Sequence, residues 1–143
     1  MERKRQRDEL QREIQELFSD LWQVPRFSGL RSGFRPHVDC FRTEEQVVVV
    51  AELPGIDPDS IHLVAGTRAL VIAGDRRRPK DCGHYQQMEI DYGPFQRQVT
   101  LDEDVDAERA TATYERGMLR VTLPIAPKRA PQERVSIEVT VGR

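Results

Sequence analysis

The sequence predicts an all-β fold, an immunoglobulin-like antiparallel β-sandwich, and three observations predict it. Short β-branched or alternating segments recur at intervals of about ten residues between positions 37 and 123. Glycine and proline turn signals separate them, as at Pro54-Gly55 and Gly66. After residue 24 no helical period interrupts them, which argues against alternating β and α units.

Residues 2–24 precede the sandwich and read as an amphipathic helix. Leu10, Ile14, Leu17, Phe18, Leu21 and Trp22 fall on one stripe, and Arg, Glu, Gln and Asp fill the opposite side. Pro25, Gly29, Gly33 and Pro36 close the helix and open a linker. A stripe without a second helix must dock on its own domain, on another subunit or on a client.

The strands expected in order are 37–42, 46–53, 61–65 and 69–73, the last two joined as a hairpin around Gly66-Thr67-Arg68. A charged loop follows at 75–81, and then a weaker polar alternation at 85–91. Segments 95–101, 110–115 and 118–123 complete the set. After Pro124 the chain becomes proline-rich and charged, which predicts a flexible extension. Within it, residues 135–141 alternate with every apolar side chain on one face, as in a strand added to another sheet edge, in cis or in trans. The expected organisation is an arm and linker at 1–36, a sandwich at 37–126 and an extension at 127–143.

Composition narrows the function. A chain of 143 residues holds one domain plus tails, and its net charge of −2 gives no global field for nucleic acid or an anionic membrane. No apolar run of signal or membrane-spanning length occurs, so a cytoplasmic location is expected. The two cysteines, Cys40 and Cys82, are too few for a stapled secreted framework.

No motif specifies chemistry, so the expectation is a non-enzyme with no cofactor and no metal. Asp102, Asp104 and Asp106 have the first spacings of a calcium loop, but Ala107 stands where glycine is needed and Thr113 where a bidentate glutamate is needed. His37, His62, His84, Cys40 and Cys82 lack zinc-site spacing. No serine sits in a Gly-x-Ser-x-Gly elbow, and no phosphate-binding Gly-x-x-x-x-Gly-Lys is present. The run 76–80 is basic but has no interleaved aromatics, and reads as a solvated loop.

The ordered motifs resemble the small heat-shock protein family and its α-crystallin domain. The fullest match is Ala112-Thr-Tyr-Glu-Arg-Gly-Met-Leu119, a tight hairpin in which Gly117 takes a positive φ and Leu119 returns to the core. The family usually has asparagine where this chain has Arg116, a departure that weakens the turn. Glu52-Leu-Pro-Gly-Ile56, Ile72-Ala-Gly-Asp-Arg76 and Tyr92-Gly-Pro-Phe-Gln-Arg97 also match, and Val135-Ser-Ile137 resembles the C-terminal I-x-I anchor.

The resemblance implies an ATP-independent holdase, a homo-oligomer of dimers that binds non-native client proteins and hands them to ATP-dependent refolding chaperones. It implies a dimer strand within 85–90, with Tyr85, Met88, Glu89 and Ile90, and an inter-subunit ion pair at Arg97. It also implies that Val135 and Ile137 enter a groove between 61–65 and 110–114 of a neighbouring subunit. The helical stripe would contact clients or other subunits. The competing reading is a monomeric or dimeric co-chaperone or scaffold module, which would have no use for the 85–90 insertion or the anchor.

Overall fold

The strands that the β-branched segments form are arranged as a two-layer sandwich. The structure, a computed structural model, describes residues 33–80, 83–127 and 134–142, together with Arg5 and Arg12, both helical and exposed. The stripe Leu10, Ile14, Leu17, Phe18, Leu21 and Trp22 lies outside the described residues, as does Cys82.

Nine strands follow in chain order: β1 (Val38–Arg42), β2 (Gln46–Glu52), β3 (His62–Ala65), β4 (Ala69–Arg76), β5 (Gly93–Thr100), β6 (Thr111–Glu115), β7 (Met118–Pro124), β8 (Val135–Ile137) and β9 (Val139–Val141). One sheet has the order β1-β2-β7-β6-β9 and the other β5-β4-β3-β8. Alternation decides the faces. Val47, Val49 and Ala51 of β2 and Leu119, Val121 and Leu123 of β7 meet Leu63, Leu70, Ile72, Phe95 and Val99 of the other sheet in one buried core.

The turns follow their residue types. Gly55, at φ 71, supplies the positive φ after Pro54. The side chain of Asp57 caps the 3-10 turn Pro58–Ser60 by accepting from the Asp59 N–H at 3.0 Å. Between β6 and β7, Arg116 and Gly117 both have positive φ, 53° and 77°, the two-residue type I′ connection that suits the sheet twist. Gly117 is held there: its carbonyl accepts from the Leu53 N–H at 2.7 Å, and an added Cβ would meet Pro54 Cα at 3.1 Å.

Residues 83–92 form no strand within the single chain, and the strand expected at 85–90 is one that pairs with a partner subunit. Three expectations need correction. The alternation 135–141 is not one strand: it divides at Glu138, with β8 joining one sheet and β9 the other. β9 runs parallel to β6, so its sheet is mixed rather than purely antiparallel. Lastly, β4 continues to Arg76, which is 9% exposed rather than solvated.

The Arg76 burial has a built partner set. Its Nε donates to the Asp91 carbonyl at 2.9 Å and Nη1 to the Pro54 carbonyl at 3.4 Å, while the guanidinium lies 3.9 Å from the Phe34 ring centroid. Phe34 in turn meets Phe95 edge-on at 5.6 Å. Gly74 makes room for that ring, since a Cβ there would lie 2.7 Å from Phe95.

Candidate functional site

The C-terminal alternation, split between two sheets, closes one end of the sandwich. β8 pairs antiparallel with β3, setting Ile137 opposite Leu63 and Val135 opposite Ala65. β9 pairs with β6, setting Val139 beside Ala112 and Val141 beside Tyr114. The groove between the β3 and β6 edges therefore receives a row of apolar side chains. Ile137 is 7% exposed and belongs to the core, while Val135 and Val139 pack half-buried against it. The Gly142 N–H then donates to the Tyr114 carbonyl at 2.9 Å. In the single chain, the tail occupies its own groove rather than a neighbour's.

The hairpin motif forms one wall of that groove. Ala112 is buried beneath Val139, and Leu119 is buried in the core behind the turn at Gly117. Tyr114 donates its hydroxyl to the Leu53 carbonyl at 2.7 Å and so ties β6 to the Pro54-Gly55 turn.

The opposite end of the sandwich is open. β8 and β9 share one end of the two strand orders, so β1 and β5 lie together at the other, each with an unpaired outer edge among the described residues. Phe41 on β1 is 43% exposed. In the preceding loop Tyr85, Met88 and Ile90 are 47%, 59% and 61% exposed. Glu89 is exposed and accepts from Gln87 Nε2 at 2.8 Å. Arg97 is half-buried on β5, in register with Ile72, and no carboxylate among the described residues pairs with it.

Of the aspartates with calcium-like spacing, Asp104 pairs with an arginine through its carboxylate and Asp102 through its backbone carbonyl. Arg68 Nε lies 3.5 Å from Asp104 Oδ1, and its Nη2 donates to the Asp102 carbonyl. Cys40 is exposed on β1. Partial burial of its sulfur, and after it the Asp102 carboxylate, raise its pKa above the ordinary thiol value. Among the described residues no helix is long and apolar enough to cross a membrane.

Sequence reasoning missed the Arg76 cluster and the role of β9. Gly74 was the available signal for the first, because a glycine inside a strand marks a close approach. For the second it was Val139 and Val141, two further apolar positions beyond the expected anchor.

The described residues form a two-layer sandwich with one end clasped by the tail and the other end open. The sequence model of the Hsp20/alpha crystallin family matches residues 39–140, and the chain belongs to that family. Heat shock protein 16 of Schizosaccharomyces pombe is 28% identical over 131 residues, 87% of this chain and 92% of that protein. Alpha-crystallin of Mycobacterium tuberculosis is 32% identical over 130 residues, 86% of this chain and 88% of that one. Among solved structures, a small heat-shock protein from Xylella fastidiosa superposes with a TM-score of 0.61 at 31% identity, covering 71% of this chain and 95% of that one.

Proposed function

We propose that this chain is a cytoplasmic, ATP-independent holdase that captures unfolding proteins on apolar surface and works as a homo-oligomer of dimers. The observation that carries it is the tail: two three-residue strands seated in the groove between β3 and β6. Full burial of Val135 and Ile137 stabilises such a seat by roughly 3–6 kcal/mol at most, and ordering residues 126–134 subtracts from that. The seat is therefore reversible. Exchanged into a neighbour's groove, the same contact links subunits, and many such contacts hold a particle by multivalency.

The dimer would form at the open end. β5 carries Pro94, which lacks an N–H, whereas β1 has five residues and no proline, with its own Phe41 exposed. Residues 85–90 of a second copy would add to the β1 edge, covering Tyr85, Met88 and Ile90 and bringing an acid such as Glu89 to Arg97. When groove and arm contacts open, the groove and the stripe Leu10, Ile14, Leu17, Phe18, Leu21 and Trp22 offer apolar surface to clients. Clients held in this way would then pass to ATP-dependent refolding chaperones.

Light scattering of a heat-denatured test protein, without nucleotide, tests the reading. Scattering that falls with added chain supports it. Unchanged scattering at a molar excess of chain contradicts it.

A further inference from the structure

The two sheets meet solvent differently on their outer faces. In a two-layer sandwich alternate residues of each strand point away from the core. On the sheet with β6 and β7, the outward Thr111, Thr113, Met118 and Arg120 are exposed. Val48 is buried there, with Phe41 and Thr122 beside it in register.

The other sheet is covered on both sides. Leu70 and Ile72 of β4 point into the core, yet the outward Ala69, Val71 and Ala73 are only 2%, 0% and 1% exposed. Val64, in register with Val71, is 8% exposed. Gln98 and Gln96, opposite Val71 and Ala73 on β5, have Nε2 atoms shielded from solvent and without a hydrogen-bond partner among the described residues. Alanines at 69 and 73 are too short to screen Val71, so another element lies on this face.

Elimination identifies it. β8 and β9 are in the sheets, and the loop carrying Tyr85, Met88 and Ile90 leaves its apolar side chains exposed, which a covering element would not do. Residues 128–133, Lys-Arg-Ala-Pro-Gln-Glu, are polar, and 81–82 are too few. Residues 1–32 remain, with the one apolar stripe outside the sandwich.

We infer that the outer face of β3, β4 and β5 is the docking site of the chain's own N-terminal segment, seated through the stripe at residues 10–22. The dimensions agree. Thirteen helical residues span about 20 Å, and four strands about 15–20 Å. Arg5 and Arg12 are helical, exposed and seven positions apart, hence on one side of a helix, and the 3.6-residue period centres the stripe on the opposite side. Docking hides the stripe and the sheet face together, and release exposes both. The inference stands apart from the holdase reading, since it concerns only where the arm rests.

Trp22, the only tryptophan, reports on it directly. In the full chain with Cys40→Ser and Cys82→Ser, an acceptor dye is attached through Thr100→Cys, on the exposed rim of this face, or through Arg120→Cys, on the outer face of the other sheet. The expected result is severalfold more energy transfer from Trp22 to position 100 than to 120. It persists when labelled chain is diluted into a large excess of unlabelled Trp22→Phe chain. Adding Leu17→Asp and Leu21→Asp lowers transfer at position 100 to the level at 120, with the far-UV signal of the sandwich retained because these residues lie outside it. Equal transfer to both positions overturns the inference, as does indifference to the arm substitutions. Loss of transfer on dilution also overturns it, by assigning the face to a second copy.

Discussion

The Arg76 guanidinium stacks on the Phe34 ring at 3.9 Å and joins the segment before β1 to the end of β4. The same group bonds the Asp91 and Pro54 carbonyls, so three chain segments converge on one side chain. Lysine at this position keeps the charge but loses the planar fork and the stack. Arg76→Lys is expected to lower stability by about 1–3 kcal/mol, read as a lower denaturant midpoint with an unchanged slope.

The β6–β7 turn holds Arg116 at φ 53, a conformation that asparagine tolerates better. Arg116→Asn is therefore expected to raise stability by about 1 kcal/mol, measured by denaturant unfolding. Gly117→Ala, at φ 77 and against Pro54, is expected to lower it instead.

The Cys40 thiol is raised by partial burial and then by Asp102. A raised pKa leaves less thiolate at neutral pH, so alkylation of Cys40 in a Cys82→Ser background is expected to be slower than for a free thiol and to accelerate only at higher pH. Asp102→Asn removes the anionic contribution, lowers the pKa and speeds alkylation near pH 8. At a pH above both pKa values the two rates converge. Equal rates of parent and variant at every pH contradict this assignment.

Much of the sandwich was legible because β-branched runs such as Val47–Val50 leave little choice of period, and because Pro54-Gly55 and Arg116-Gly117 mark turns of defined hand. The shared apolar face of Val135 and Ile137 was legible for a related reason, since they alternate, whereas a groove between 61–65 and 110–114 followed only from the family resemblance. The division at Glu138 was not legible, because alternation looks the same whether a segment follows one sheet or crosses between two. Arg76 escaped because its burial rests on Phe34 and Asp91, distant in sequence, while its neighbours Arg77 and Arg78 read as solvated charge. The segment 85–91 reads as a strand that pairs with the edge of a second copy, a pairing that a single chain does not contain.

At the open end, the exposed Met88 and Ile90 give the proposed dimer its apolar contact. Replacing both by aspartate adds charge where a strand would pair and is expected to convert dimers into monomers, measured by light scattering coupled to size exclusion. The sandwich is expected to keep its far-UV signal, because neither residue is in the core. A retained dimer mass contradicts the assignment of residues 85–90.

The central claim is that the tail seated at Leu63 and Ala112 is also the link between subunits. Particle mass of the full chain with Val135→Ser and Ile137→Ser tests it most directly. The account predicts a fall from the parent oligomer to the dimer. An oligomer of unchanged mass would contradict it.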